Sequence, residues 1–367
     1  MTTSNPAAAA VPNSQVRSRP PRNPVVADYS ELLTRVRDAG LLRRRRGFYA
    51  ALFAALMLAL VATVAGVVAL GDSWSQLWLA VVLGVLFAQV GFLAHEAAHR
   101  EIFESGPAND RAGRVLGDLV VGISYAWWRG DHNPHHANPN TVGLDPSLAR
   151  KAFAFIPEDA AGSRGFVAWF TRRQGYFFFP FLVLAGVNLH VKGLVTVFGR
   201  GRVAHRRTEI AMLLTRHLAL SALVVTSMSP GKALAFAGVQ LGVFGVCIAA
   251  AFVPNHIGMP VLPRGAKVDF LRRQVLGSRN ITGGALVTTV LGGLNFQIEH
   301  HLFPSMPRPA LRPARRLVRE YCAERGISYT ETSLLQAYGA VARYLNEVGL
   351  TAGHNPFRCP VAAGLGR

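Results

Sequence analysis

Histidines in this chain fall into three short groups whose spacing suits metal ligation. The sequence HEAAH at 95–99 separates two histidines by four positions, and HNPHH at 132–136 places three at i, i+3 and i+4. A third group, QIEHH at 297–301, repeats the second pattern with glutamine in the first place. On a helix these offsets share one face, so the imidazoles of each group converge on one point.

The candidate ligands are too numerous for one ion. A tetrahedral zinc site uses four ligands, so a larger set of imidazoles indicates two metal ions. A pair of irons is favoured where dioxygen must be activated, because zinc has no accessible redox state. Together with one histidine after a long apolar stretch, the three groups supply His95, His99, His132, His135, His136, His256, His300 and His301.

Two remote alternatives follow from the same residues. HEAAH matches the HExxH motif of zinc peptidases, in which Glu96 would be the general base. That interpretation leaves most of the other histidines without a role. A non-catalytic metal carrier would need ionisable residues along a path across the bilayer, whereas these histidines collect at one membrane face.

The composition indicates an integral membrane protein. Half of the 367 residues are apolar and 16% are charged, which is unlike a typical soluble domain. Lys and Arg exceed Asp and Glu by 39 to 20, and many lie beside apolar stretches. This distribution suits a membrane surface, so no nucleic-acid partner is expected. The three cysteines form no CxxC pair, so nitrogen ligands are expected.

We expect an all-α membrane protein with two transmembrane helical hairpins. Four apolar stretches have the length of a span, and they lie at about 48–70, 77–94, 210–228 and 235–253. The stretch 176–198 is also apolar, but it contains polar residues and proline. If it crossed the bilayer, the basic group at 200–207 would lie outside, so an interfacial position is expected.

The remaining residues are expected to form tails and a cap. Residues 1–28 read as a disordered basic tail and 351–367 as a C-terminal tail, on either side of a membrane domain at 29–350. Residues 100–209 and 254–350 are expected to supply interfacial or re-entrant helices and a cytoplasmic helical cap that holds the di-metal site. The basic residues before the first span place both termini and this site in the cytoplasm.

The sequences HEAAH, DHNPHHANPN and LNFQIEHHLFPSMPR resemble the three histidine boxes of the membrane fatty acid desaturases. The QxxHH form of the last box is similar to the front-end and bacterial acyl-chain branch. The resemblance implies an oxygen-dependent di-iron oxidoreductase of lipid metabolism that introduces a cis double bond into an acyl chain on CoA or lipid. It also implies that the box histidines are metal ligands and that His256 is an additional one.

Four further residues are candidates beside the metals. Asn255 and Gln297 are expected to support the ligands through hydrogen bonds. Trp127 and Trp128 immediately precede the second box and are candidates to line the acyl tunnel. Aromatic residues at a membrane interface also serve as anchors, which is the alternative role for the two tryptophans.

The resemblance implies an electron donor outside the chain. Front-end members often carry a fused cytochrome b5 domain with a His-Pro-Gly-Gly motif, which this sequence lacks. Electrons are therefore expected from a separate ferredoxin or cytochrome with its reductase, and a bacterial inner membrane is the expected location. The main alternative is a lipid or carotenoid hydroxylase or ketolase with the same di-iron centre, because the radical left by hydrogen abstraction can accept oxygen instead.

Overall fold

The computed structural model describes residues 24–149, 152–161 and 163–350, and the structural statements below refer to these residues. The predicted tails at 1–28 and 351–367 lie outside them, except for residues 24–28. That short stretch already belongs to a helix that begins at Pro24, so the predicted tail extends too far. The helix is stabilised by Leu32 and Val36, which are buried against the cap.

The described chain is mostly helical, as predicted. A π-helix lies at Val115–Val121, and 3₁₀ turns lie at Pro146–Ala149 and Leu182–Leu184. The α-helices, in chain order, are α1 (Pro24–Asp38), α2 (Arg46–Leu70), α3 (Gln76–Ala98), α4 (Gly106–Arg114), α5 (Tyr125–Ala137), α6 (Pro157–Ala160), α7 (Gly165–Thr171), α8 (Gln174–Phe181), α9 (Ala185–Phe198), α10 (Arg206–Ser227), α11 (Pro230–His256), α12 (Phe270–Leu276), α13 (Ala285–Val290), α14 (Gln297–Leu302), α15 (Arg308–Glu324) and α16 (Leu334–Leu350).

The all-α prediction needs one correction. Strand β1 (Asn280–Thr282) pairs in parallel with β2 (Glu331–Ser333). Each strand has three residues, which is too short for the alternating pattern that identifies a strand in a sequence. The ladder joins the segment before α14 to the segment before α16, and it therefore ties the end of the described chain to the third histidine group.

Five helical segments are long and apolar enough to cross a membrane, by length and composition. Four of them, α2, α3, α10 and α11, correspond to the predicted spans. Their exposed side chains include Leu58, Val61, Leu218 and Leu234, which suit contact with lipid. The fifth is the continuous segment Gln174–Phe198, which consists of α8, a 3₁₀ turn and α9.

Helices α3 and α11 form the centre of the bundle. Gly84 of α3 packs so closely on α11 that an added Cβ would lie 2.8 Å from the carbonyl oxygen of Gln240. Phe87, Phe236 and Phe244 fill the surrounding core. A larger residue than glycine at position 84 would therefore push apart the two helices that carry His95 and His256.

The two hairpin turns lie at the same end of the bundle. Asp72, in the turn between α2 and α3, accepts a hydrogen bond from the backbone N–H of Ser229 at 2.7 Å and pairs with Lys232 at 3.0 Å. His95 lies near the C-terminal end of α3, and His256 lies at the C-terminal end of α11. Both of these ends are far from the hairpin turns. Both hairpins therefore present a histidine at the end away from their turns.

A second hydrophobic core forms the cap. It contains Leu32 of α1, Leu271 of α12, Ile298 of α14 and Val318 of α15, all fully buried. Helix α14 has only six residues and is too short to be stable alone. Its position therefore depends on the cap helices that surround it.

Candidate metal centre

The structure gathers all eight predicted histidines into two adjacent groups. Within each group the ligand atoms lie within 4.8 Å of one another. The larger group consists of His95, His99, His132, His136 and His300. The smaller group consists of His135, His256 and His301. Because α3, α5, α11 and α14 all contribute, the site forms only when four remote segments pack together.

The second and third histidine boxes each serve both groups. On α5, His132 and His136 belong to the larger group, whereas His135 belongs to the smaller one. On α14, the adjacent His300 and His301 divide in the same way. The rings of His136 and His301 stack with their centroids 4.2 Å apart, so the two groups are in direct contact.

The ring nitrogens of the larger group share a small buried space. Nε2 of His132 lies 3.1 Å from Nε2 of His95 and 3.0 Å from Nε2 of His99. Both ring nitrogens of His136 and Nε2 of His300 are buried without a hydrogen-bond partner among the described residues. Unpaired buried polar atoms are rare, and a shared metal ion would satisfy Nε2 of His300 and one of the two ring nitrogens of His136. This donor set therefore fits a metal ion bound by nitrogen.

Two histidines of the smaller group are oriented through their other ring nitrogen. Nδ1 of His135 lies 2.9 Å from the carboxylate of Asp145, and Nδ1 of His256 lies 2.9 Å from the carbonyl oxygen of Gly277. Since both partners are acceptors, Nδ1 carries the proton and Nε2 is left as the ligand atom. Burial is the largest single influence on the pKa of Asp145 and raises it, but the interactions with His135 and the hydrogen bonds from the N–H groups of Ser147 and Asn140 together outweigh burial and bring that pKa down to about 2.

Gln274 connects the two groups. Its Oε1 accepts a hydrogen bond from Nδ1 of His301 at 3.0 Å, and its Nε2 donates to the carbonyl oxygen of His136 at 3.0 Å. Nε2 of His301 has no partner among the described residues and is buried. One fully buried amide on α12 therefore sets the position of a ligand in each group.

Burial keeps the metal-centre imidazoles that lie outside the long apolar helices in their neutral form. It lowers the pKa of His132, His136, His300 and His301 well below the usual value, and the neighbouring imidazoles lower each pKa further. Burial also lowers the pKa of His99 to about 3. The neutral imidazole is the form that binds a metal, so these residues are ready to act as ligands at neutral pH.

Gln297 contacts the smaller group, and Asn255 supports Gln297. The Gln297 amide nitrogen lies 3.0 Å from Nε2 of His256, and its Oε1 accepts from Nδ2 of Asn255 at 3.1 Å. Both amides are fully buried. Gln297, which takes the place of a third histidine in its box, therefore lies beside the ligand atom of His256.

An aromatic wall covers one side of the larger group. The ring of Trp128 stacks on His132 with centroids 4.2 Å apart and meets His95 edge-on at 5.1 Å. Phe252 lies 5.8 Å from His95 and 6.2 Å from His132. Trp127, by contrast, is connected to this region through its backbone N–H, which donates to Ser124 Oγ. The structure therefore brings the ring of Trp128 to the histidines.

Glu96 of HEAAH forms a buried ion pair. Arg308, at the start of α15, donates from Nε to Oε1 of Glu96, and both side chains are buried. The backbone N–H of Arg308 also donates to Tyr49 Oη, which donates to Glu101. A carboxylate tied to a guanidinium is a poor general base, so the peptidase alternative finds no support here.

Side chains from remote segments hold the start of α5. Asp118 Oδ1 accepts from the backbone N–H of Tyr125 at 2.7 Å. Glu209, on α10, accepts from the N–H of Ala126 at 3.1 Å and from the hydroxyl of Ser124 at 2.7 Å. Burial, followed by the nearby charge of Glu209, raises the pKa of Asp118 to about 8. The first N–H groups of the helix are thus satisfied without solvent.

A similar arrangement supports α14. Asn280 Oδ1 accepts from the N–H of Ile298 at 2.9 Å, and its Nδ2 donates to Glu299 at 2.7 Å. Tyr329 donates to the other oxygen of Glu299 at 2.7 Å. The residue at the start of this helix, Phe296, has no side-chain cap of its own. Asn280 therefore supplies the missing cap from strand β1.

Sequence reasoning missed several of these residues. Two of them carried a local signal: Asp145 lies ten positions after His135 in a polar loop, and Phe252 lies one turn before His256. A third, Arg308, is the last residue of the third box sequence LNFQIEHHLFPSMPR, whereas Glu209, Gln274 and Asn280 have no feature in the sequence that relates them to the histidines.

Comparison with known proteins agrees with the geometry. The family profile described as "Fatty acid desaturase" matches residues 72–333, a region that contains all eight histidines. The chain is 28% identical over 340 residues to the Delta(8)-fatty-acid desaturase of Helianthus annuus, which covers 89% of this chain and 74% of that relative.

Other relatives have related names. The Delta(6)-fatty-acid desaturase of Caenorhabditis elegans is 27% identical over 329 residues, which is 86% of this chain and 73% of the relative. The Acyl-lipid (9-3)-desaturase of Physcomitrium patens is 30% identical over 289 residues, which is 74% of this chain and 53% of the relative. With its apolar helices and paired histidine groups, the chain belongs to the fatty acid desaturase family and is an integral membrane oxidoreductase that desaturates fatty acyl chains.

Proposed function

We propose that this desaturase uses two iron ions, one held by each histidine group. When bound, the iron pair would use dioxygen, two electrons and two protons to remove two hydrogens from adjacent methylenes, leaving a cis double bond and two waters. His95, His99, His132, His136 and His300 would hold one ion, and His135, His256 and His301 the other.

The observation that carries this proposal is the division of eight imidazoles, seven buried and one half-buried, into groups of five and three. One tetrahedral zinc ion would use four of them at most. The smaller group offers fewer nitrogen ligands, and Gln297, which is held by a hydrogen bond from Asn255, would be the additional polar side chain beside its ion. Asp145, Gly277 and Gln274 would keep its imidazoles in the correct orientation.

The acyl chain would pass along the aromatic wall formed by Trp128 and Phe252. Their rings lie against His95 and His132, so a methylene held there would be near the larger group. Fixing one carbon–carbon bond beside the metals can account for several kcal/mol of rate enhancement. The chain would arrive on CoA or on a lipid, and Trp127 remains a candidate further from the metals.

We place both hairpins across the membrane with the metal centre and both termini in the cytoplasm. The RRRR sequence at 43–46 precedes α2, and Lys and Arg beside a span are generally retained on the cytoplasmic side, which supports this orientation. The pairing of Asp72 with Lys232 supports two hairpins with their turns together on the outer side. A bacterial inner membrane is the proposed location, although the relatives named above are eukaryotic.

The fifth apolar segment, Gln174–Phe198, would lie along the cytoplasmic interface as predicted from its sequence. Near its start, the N–H of Gly175 donates to Asn346 of cap helix α16 at 2.9 Å. Directly after its end, the carbonyl oxygen of Gly199 accepts from Arg206, the first residue of α10, at 2.8 Å. Both ends therefore contact elements at the metal end of the bundle, which supports four spans. Between them, Gly186 packs against Leu241 and Gly245 in the middle of α11, so the segment would reach into the bundle from that interface and return to it.

Membranes that contain the full chain test this proposal. The membranes would be supplied with dioxygen and with a ferredoxin or cytochrome and its reductase. A deuterium-labelled acyl chain would be added on CoA in one reaction and on phospholipid in another. We expect a product that is lighter by two hydrogens (two deuteriums at labelled positions), and no product and less iron per chain from the His135→Ala variant. A product heavier by one oxygen would favour the hydroxylase alternative, and an active, iron-free protein would contradict the di-iron proposal.

A further inference from the structure

Two loops and the first turn of α12 form a surface layer over the metal centre, and we call residues 138–145 and 260–273 the roof. The N–H of Leu262 donates to the carbonyl oxygen of Asn140 at 2.8 Å, and the N–H of Val142 donates back to Leu262 at 2.9 Å. The first loop follows α5 directly, and the second follows the C-terminal end of α11. Because that end of α11 is opposite the hairpin turns, the roof lies beyond the membrane-facing part of the bundle.

The roof touches the backbone beside a metal ligand. Nη1 of Arg273 donates to the carbonyl oxygen of Ala137 at 3.2 Å and to Asn138 at 2.9 Å. Its Nη2 donates to the carbonyl oxygen of Val268 at 2.9 Å. Ala137 directly follows His136, so a short chain of bonds runs from the second roof loop to the larger histidine group.

The solvent-exposed charged side chains of the roof are positive. Arg264 and Lys267 are exposed, and Arg273 is half-buried beneath them. The acidic side chains of the roof are occupied by partners: Asp145 is buried against His135, and Asp269 pairs with Arg272 at 3.1 Å. The charge left facing the solvent is therefore positive.

We propose that the roof is the docking surface for an acidic one-electron carrier, a small iron–sulfur or haem protein. This inference rests on the proposed function, which needs two electrons per turnover from outside the chain. In each of two encounters the reduced carrier would lose one electron to the metal centre and leave oxidised. Complementary charge speeds the encounter of two proteins, and the roof combines exposed positive charge with a hydrogen bond from Arg273 to Ala137, the residue after His136.

The test compares charge-reversal variants of the full-length protein in nanodiscs. The roof variant is Arg264→Glu/Lys267→Glu. The matched control is Arg200→Glu/Arg202→Glu, which changes the net charge equally at two exposed arginines before α10, near the opposite end of α5. Desaturation is measured against the concentration of reduced plant-type ferredoxin and, separately, of reduced cytochrome b5, at low and high salt. Single turnovers driven by dithionite with methyl viologen are measured in parallel.

We expect the roof variant to need at least about tenfold more of one carrier for half-maximal rate at low salt, with the difference shrinking at high salt. The milder Arg264→Gln/Lys267→Gln variant should show a smaller rise. The control should stay within about twofold of wild type, and dithionite-driven turnover should be equal in all variants. Equal carrier dependence in the roof variant and the control would overturn the docking proposal. Failure of dithionite-driven desaturation in the wild type would instead contradict the proposed function.

Discussion

At the residue scale, the position of the proton on each imidazole of the smaller group determines which ring nitrogen can bind a metal. Asp145, Gly277 and Gln274 each accept from an Nδ1 atom, which leaves Nε2 of His135, His256 and His301 as the ligand atoms. The supporting acceptors are a carboxylate, a carbonyl and an amide. Their common property is hydrogen-bond acceptance, which no sequence motif identifies.

The clearest residue-scale prediction concerns Asp145. In Asp145→Asn the new amide can turn its NH₂ group toward His135, so the proton on Nδ1 is no longer specified and the ring is less well oriented. We expect iron affinity at the smaller group to fall about 10–100-fold while the larger group keeps its ion. Iron per chain, measured by mass spectrometry after dialysis against increasing chelator, checks this result.

The control for that experiment is Asp269→Asn, which removes a carboxylate that pairs with Arg272 and contacts no histidine ligand. Its iron content should match that of wild type. Retention of both irons by Asp145→Asn at the chelator concentrations tolerated by wild type would show that Asp145 does not orient His135.

The sequence predicted the histidine ligand set better than the residues that support it. Ligand spacing is local, since one helical turn brings i, i+3 and i+4 together, and this is visible in HNPHH. Supporting contacts are made between remote segments, as between Glu209 and Ala126 or between Asn280 and Ile298. These contacts depend on the packing of whole helices, which residue spacing does not encode.

At the element scale, two ligand helices depend on caps from elsewhere in the chain. Helix α5 is held at its start by Asp118 and Glu209, and α14 is held by Asn280. The four long helices were predicted from apolar length alone, with ends within a few residues of those observed. The β1–β2 ladder was not predicted, because three-residue strands carry no periodic signal.

The path of the fifth apolar segment gives the element-scale prediction. Three variants of a protein without its natural cysteines would each carry one new cysteine, at Ser75, Arg173 or Arg202. Each would be labelled in sealed inverted vesicles by a thiol reagent that cannot cross the membrane. An interfacial segment requires Arg173→Cys and Arg202→Cys to react on the cytoplasmic side and Ser75→Cys to be protected. Reaction of Arg173→Cys and Arg202→Cys from opposite sides would mean that Gln174–Phe198 crosses the bilayer.

At the scale of the whole molecule, the site depends on the association of two bodies. The hairpins supply His95, His99 and His256, and the cap region supplies the histidines of α5 and α14. The sequence indicated that these groups would meet at one membrane face. It did not indicate the five-and-three division, because adjacent residues such as His300 and His301 turn to different groups only when α14 is fixed in the cap.

The ion pair between Glu96 and Arg308 joins the same two bodies. It connects α3 in the bundle to α15 in the cap, and both side chains are buried. Breaking a buried pair by removing one partner typically costs about 3–5 kcal/mol. The contact therefore helps to fix the distance between the histidines of the bundle and those of the cap.

Metal content tests the central claim most directly. The full chain, purified without oxygen in detergent and supplied with ferrous iron, would be analysed for metal by mass spectrometry and for iron environment by Mössbauer spectroscopy. The account predicts two irons per chain in nitrogen-rich environments, with His136→Ala and His256→Ala each losing iron relative to wild type. A single iron per chain, or stable loading with zinc alone in an active protein, would contradict it.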